Sequence, residues 1–205
     1  MKNSTQLRLG ILASGRGSNL QAIIDACELG RIAAQVTVII SDQSDAKALE
    51  RAKRHNIPAI CHERSAFQSR EAHEATIVEE LHRHGVELVC LAGFMRIVGK
   101  TLLTAFPNRI INIHPSLLPA FPGLKAQAQA LAAGVTTTGC TVHFVDDKVD
   151  HGPIILQAEV PVLPNDTVET LSARILNEEH RLYPQAIKIF IENFALLPPL
   201  KIRGG

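Results

Sequence analysis

The sequence predicts an α/β fold: a Rossmann-like, mostly parallel sheet with helices on both faces and an antiparallel addition in the C-terminal half. Three observations carry this expectation. Short apolar runs alternate with segments of helical apolar spacing over the first half of the chain, the pattern of repeated β-α-β units. A turn rich in glycine and serine, Ser14-Gly15-Arg16-Gly17-Ser18-Asn19, joins the first run to the first helical segment. Beyond Pro115 the alternation stops, and two strand-like runs flank a turn rich in aspartate, which points to an antiparallel pair. Parallel units of this kind are joined by right-handed crossovers and bind ligands at the carboxyl ends of strands, near a switch in strand order.

Taken in order, Leu7 to Ala13 reads as a strand, and Asn19 to Leu29 as a helix with Leu20, Ile23, Ile24 and Cys27 at helical spacing. Val36 to Ile40 is strand-like, Ala46 to His55 helical and Ala59 to Cys61 a short strand. Ser69 to His84 is helical and Leu88 to Ala92 a strand. A helix near Thr101 to Phe106 leads into the strand Ile110 to His114, which Pro115 terminates. A proline-rich loop from Pro115 to Gly123 precedes a helix near Gln127 to Ala133. Thr138 to Val145 and Ile154 to Val160 form the antiparallel pair, and the turn between them holds Asp146, Asp147, Asp150 and Gly152. A long helix covers Val168 to Asn193, and Pro184 is expected to bend or interrupt it.

Length and composition narrow the function classes. The 205 residues suffice for one sizeable domain, 1–205, with loose tails at 1–6 and 197–205. Basic and acidic residues number 21 and 20, a net charge of +1, so no nucleic-acid footprint is present. Met1 to Gln6 is polar, with Arg8 and Gly10 soon after it, which is no signal peptide, and no segment has the length and apolarity of a membrane helix. A cytoplasmic protein with no membrane partner is expected. Cys27, Cys61, Cys90 and Cys140 are widely spaced, without a C-x-x-C pair, and read as buried reduced thiols.

The candidate chemistry starts at the strand end. Side chains two apart on a strand share a face, so Asn112 and His114 project together. An amide that can stabilise an oxyanion beside an imidazole that can move protons is a small kit for carbonyl chemistry. Two hydrogen-bonded polar residues closing a strand would look the same. The turn Ser14 to Asn19 offers free N–H groups and a helix N-terminus to an anion, with Ser18 or Asn19 as N-cap or extra donor. Leu20 stands where a dinucleotide fingerprint needs glycine, and Gly-Lys-Ser/Thr is absent, so a phosphate monoester is expected here rather than NAD or ATP. Asp150, in Asp150-His151-Gly152-Pro153, is a turn former unless the fold brings it to His114, where it would orient the imidazole and raise its pKa. Leu91 to Val98 ends a buried strand and reads as core, or as main chain lining a flat aromatic ligand. None of the nine histidines has ligand spacing, so no metal is expected, and Ser116 lacks a nucleophile elbow.

Together the motifs SGRGSNLQAIIDA, LAGFMRI, INIHPSLLPAFPGL, GCTVHFV and DHGPIILQ closely resemble the phosphoribosylglycinamide formyltransferase family, folate-dependent enzymes of purine synthesis. The resemblance runs over nearly the whole chain in family order. It implies transfer of a formyl group from 10-formyltetrahydrofolate, as co-substrate, to the amino group of 5-phosphoribosyl glycinamide, through a tetrahedral intermediate. It implies that Asn112 stabilises the oxyanion and touches the folate, that His114 is the proton donor and acceptor, and that Asp150 holds His114 or a bridging water. Gly17, Ser18 and Asn19 would bind the substrate phosphate, and Glu179 the glycinamide end. Arg70 and the main chain of Met95, Arg96, Ile97 and Val98 would bind the folate. Both substrates are small molecules, and the family implies a monomer or homodimer.

Some positions depart from the family. Lys125 stands where relatives often carry His, Ala126 and Gln127 also differ, and His151 fills the variable position of D-x-G-P. Methionyl-tRNA formyltransferase shares NIHPSLLP but adds a tRNA-gripping domain, and formyltetrahydrofolate hydrolase adds an amino-terminal regulatory domain. The length and balanced charge of this chain fit neither. A non-catalytic folate- or nucleotide-binding module has no need of Asn112, His114 and Asp150 together.

Overall fold

The computed structural model describes residues 6–193, so the expected loose tails lie outside the described residues, Gln6 apart. Strands β1 (Leu7–Leu12), β2 (Ala34–Ser41), β3 (Ala59–Cys61), β4 (Leu88–Leu91), β5 (Ile110–His114), β6 (Thr137–Phe144) and β7 (Ile154–Pro161) form one sheet in the order β3-β2-β1-β4-β5-β6-β7. The first five run parallel; β6 pairs antiparallel with β5, and β7 with β6. Helices α1 (Ser18–Glu28), α2 (Lys47–Arg54), α3 (Arg70–Arg83), α4 (Lys100–Ala105), α5 (Ala126–Ala132) and α6 (Val168–Asn193) complete the fold.

The period-2 alternation of the strands sorts their side chains onto two cores. Leu9, Ile11, Ile39, Leu88, Cys90, Ile111 and Ile113 face a cluster completed by α1, α2 and α6, through Leu20, Ile23, Ala48, Ile175 and Ile187. Leu12, Val38, Ile40, Val89, Leu91 and Ile110 face the opposite way, toward Ile77, Leu81, Leu102 and Phe106 of α3 and the α4 region. Each fully buried Leu or Ile contributes on the order of 1.5–3 kcal/mol, so a one-residue register slip that swapped the faces would be prohibitive.

The chain order of the strands runs outward from β1 in one direction and from β4 in the other. β1 and β4 are therefore neighbours whose following loops diverge, the switch point where open α/β sheets bind ligands. Tyr183 of α6, fully buried, shares its hydroxyl between the carbonyls of Leu91 (3.0 Å) and Ile111 (3.1 Å) and ties the last helix to β4 and β5.

Three local expectations are corrected. The N-cap of α1 is Gly17, at φ +67°, and neither Ser18 nor Asn19 caps it; the left-handed turn suits glycine, and the Asn19 amide is engaged elsewhere. Of the two outcomes expected at Pro184, a bend or an interruption, the interruption is ruled out, since α6 runs on through it with Tyr183, Ala186, Ile187 and Phe190 anchored in the core. Cys61 is exposed, because β3 is a short edge strand, whereas Cys90 and Cys140 are buried as expected and Cys27 is partly so.

Candidate active site

Asn112 and His114 sit on one face at the end of β5, directly across from β6, where Asn112 pairs with His143 and His114 with Thr141. The His114 imidazole is almost wholly buried, at 5% exposed. Its Nε2 lies 2.9 Å from the carbonyl oxygen of Phe121, which can only accept, so this nitrogen carries a proton. Its Nδ1 lies 3.3 Å from Oδ2 of Asp150. Each ring nitrogen of His114 therefore faces an oxygen acceptor, a carboxylate at one and a carbonyl at the other.

Asp150 reaches this position from the β6–β7 turn, with a left-handed φ of +50°. Gly152 makes that turn possible, since a Cβ there would stand 1.9 Å from the Phe144 carbonyl oxygen. The N–H of Gly123 donates to Oδ2 at 2.8 Å, and His143 Nε2 lies 3.7 Å from Oδ1. Burial pushes the Asp150 carboxyl upward, but the His143 imidazole beside it, the Gly123 N–H and the neighbouring charge of His114 outweigh it and hold the pKa below its ordinary value. The carboxylate is thus ionised beside His114.

His143 is a site residue that the sequence did not reveal. Its Nδ1 donates to the Phe144 carbonyl at 2.8 Å, leaving Nε2 to accept from the Asn112 amide at 3.3 Å. That contact fixes which way the amide of Asn112 points. Only the β5–β6 register brings the two together, and the register is not written in either strand. Below them Thr141 accepts the N–H of Leu118 (3.0 Å) and donates to the Ser116 carbonyl (2.7 Å), which fastens the loop after β5 to β6.

The loop after β1 forms the second part. Its carbonyls turn inward: Gly15 accepts from the N–H of Ala48, Arg16 from Arg51 Nε and Gly17 from the N–H of Gln21. The N–H groups of Gly17, Ser18 and Asn19 are matched with no carbonyl of the described residues and stand at the positive end of α1. The side-chain amide of Asn19, 8% exposed, donates instead to Glu179 at 2.7 Å. Burial raises the pKa of Glu179, with the Asn19 bond opposing it.

The loop after β4 forms the third part. Arg70, Glu74, Phe94, Met95, Ile97 and Val98 line a cavity of about 350 Å³. Met95 and Ile97 are 67% and 62% exposed, large apolar side chains held at its mouth. The N–H groups of Arg96, Ile97 and Val98 are matched with no carbonyl of the described residues. The Arg96 side chain is turned away, with Nε 2.6 Å from Asp42 Oδ2, so this residue offers the cavity its main chain. Glu74 accepts the Gly99 N–H at 2.6 Å and sets the start of α4. Among the described residues no group of three or more His, Cys, Asp or Glu side chains could hold a metal ion, and no helix is long and apolar enough to cross a membrane.

Residues 7–187 match the family model described as formyl transferase. The chain belongs to the formyl transferase family. It is 45% identical, over 88% of its length and 93% of the relative's, to the phosphoribosylglycinamide formyltransferase of Bacillus subtilis (strain 168). It is 44% identical to that of Escherichia coli (strain K12), over 91% of its length and 88% of the relative's. Among solved structures it superposes on glycinamide ribonucleotide transformylase 1 from Symbiobacterium toebii with a TM-score of 0.92 and 59% identity, over 93% of this chain and 90% of that one.

In this formyl transferase the sequence-predicted site residues fall into three groups. Asn112, His114 and Asp150 converge at the ends of β5 and β6. Gly17, Ser18 and Asn19 open α1, and Asn19 meets Glu179. Arg70 and Met95 to Val98 share the cavity after β4.

Proposed function

We propose that this formyl transferase moves the formyl group of 10-formyltetrahydrofolate to the amino group of 5-phosphoribosyl glycinamide, as a cytoplasmic enzyme of de novo purine biosynthesis. Residues 1–205 would act as one formyltransferase domain. The observation that carries the reading is the placement of His114 between the Asp150 carboxylate and the Phe121 carbonyl, two residues along the strand from Asn112.

The folate fits the cavity after β4. A flat ring with donors and acceptors on its edge suits apolar walls with unmatched main-chain N–H groups, which residues 96–98 present. Arg70, partly exposed and 3.5 Å from Glu74, remains available to a carboxylate at the cavity mouth. The bound folate supplies an electrophilic formyl carbon, and the chain supplies the rest. The N–H groups of Gly17, Ser18 and Asn19 hold the phosphate of the acceptor. Glu179 contributes by fixing Asn19, and it orients the glycinamide end from the same side. As the amine attacks, charge grows on the formyl oxygen; the Asn112 N–H not given to His143 is aimed to receive it. As the bond between the formyl carbon and the folate nitrogen breaks, the Nε2 proton of His114, hydrogen-bonded to the Phe121 carbonyl in this structure, passes to the leaving nitrogen. Asp150 stays ionised and holds the imidazolium that the amine's lost proton regenerates. No step requires a metal ion.

The deciding experiment is turnover of 10-formyltetrahydrofolate with and without phosphoribosyl glycinamide. Release of tetrahydrofolate only with the glycinamide supports the transferase. Release in water alone overturns it in favour of a hydrolase, and binding without release overturns it in favour of a non-catalytic module.

A further inference from the structure

Helix α2 carries none of the residues assigned above, yet it packs directly on the loop after β1. The Ala48 N–H takes the Gly15 carbonyl at 3.1 Å. One turn later, Arg51 spreads its guanidinium over the loop, with Nε 2.9 Å from the Arg16 carbonyl and Nη1 3.1 Å from Gln21 Oε1 on α1. Its stem also passes under Gly17: a Cβ there would meet Arg51 Cδ at 3.3 Å and Ala48 Cα at 2.9 Å. Gln21 is held in turn, with Nε2 2.8 Å from Asp25 and 2.9 Å from His55 Nε2. His55 closes the chain on Glu28 at 2.7 Å.

The consequence follows from peptide planarity. Rotating a carbonyl one way about its plane carries the N–H across the same peptide bond the opposite way. Because Ala48 and Arg51 draw the Gly15 and Arg16 carbonyls toward α2, the N–H groups of Arg16 and Gly17 across those peptide bonds face away from it. We propose that Arg51 is a positioning residue for the acceptor's phosphate: its fork, anchored at Arg16 and Gln21, presets the Gly17 N–H beside those of Ser18 and Asn19 at the start of α1 for a tetrahedral oxyanion. It acts through the loop and not as a bare positive charge. The proposal rests on reading that loop as the phosphate site.

The test compares the phosphorylated acceptor with the same glycinamide riboside lacking its phosphate, in steady-state turnover. Arg51→Ala is expected to raise KM for the phosphorylated acceptor about tenfold, the effect of losing one or two charge-assisted hydrogen bonds. It should leave kcat, KM for the folate and turnover of the dephosphorylated acceptor unchanged. Arg51→Lys keeps the charge but cannot span Arg16 and Gln21 with a planar fork, so its KM should stay near that of the alanine variant. Competition by inorganic phosphate should weaken in parallel. A KM restored by lysine, or an equal loss with both acceptors, overturns the proposal. Gly17→Ala, checked for folding by its circular-dichroism melt, separates the two layers. If it keeps the full preference for the phosphorylated acceptor, the loop itself is misassigned and the proposal falls with it. If it loses the preference while Arg51→Ala retains it, the loop assignment stands and only the role of Arg51 fails.

Discussion

The loop after β1, proposed to hold the phosphate, and the cluster at the end of β5, proposed to move protons, belong to one sheet but are built in opposite ways. The loop is a contiguous run, Ser14 to Asn19, and its donors are backbone N–H groups at the start of α1. The cluster gathers Asn112, His114, His143 and Asp150 from a parallel strand, an antiparallel strand and a turn. The loop works by conformation and tolerates side-chain change wherever φ and the clearance to α2 are kept. On the proposed assignment the cluster works by the identity of each side chain, so binding and chemistry should respond separately to substitution.

Removing the His114 imidazole tests the independence of the two regions most severely. His114→Ala should lower kcat by about a thousandfold, within the range for loss of a general acid–base group, while binding of the phosphorylated acceptor by equilibrium dialysis stays within about threefold of wild type. Loss of binding in a folded variant would show that the two regions are not separable. Asp150→Asn comes next, with kcat down about a hundredfold and acceptor KM little changed. Its stability signature has a definite sign. The folded-state pKa of Asp150 lies below 3.8, so its contribution is fully present above that value and is lost as pH falls through the folded pKa. Melts of wild type and Asp150→Asn should therefore differ at neutral pH and converge in acid.

Gly17→Ala sharpens the comparison from the other side. A left-handed residue with a Cβ 2.9 Å from Ala48 Cα distorts the loop, and acceptor KM should rise about tenfold with kcat nearly intact. Glu179→Gln should give the smallest effect, a difference in Tm of a few degrees. Burial raises the Glu179 pKa above 4.5, so its neutral form stabilises the fold at low pH and that stability fades as pH rises through the folded pKa. The glutamine variant should gain on wild type as pH is raised from 4 to 8, read by thermal melts; a constant difference would contradict the buried charge.

Much of this was legible from local pattern. The apolar runs and helical periods placed the elements to within a few residues, because burial on both faces of a strand leaves a short continuous apolar run and burial on one helical face a 3.6-residue mark. The glycines of the first loop were legible because a turn needing positive φ selects them. The N-cap was misplaced because the side chain of Asn19, a good cap in isolation, is drawn to Glu179, 160 positions away in the chain. His143 was invisible because its partner is set by strand register. The continuity of α6 through Pro184 was decided by the core contacts around it, which outweigh the lost hydrogen bond.

Local sequence was enough for the α/β class, the extent of the elements, the glycine turn that opens α1 and the motifs of the formyl transferase family. Those depend on periodicity and on backbone angles, which neighbouring residues dictate. Long-range packing alone set that Asp150 meets His114, that His143 orients Asn112, and that α2 holds the carbonyls of the loop after β1. Each of these is a contact within about 4 Å between residues far apart in the chain. Their approach is fixed by sheet order and register, which follow from how the whole chain buries its apolar surface.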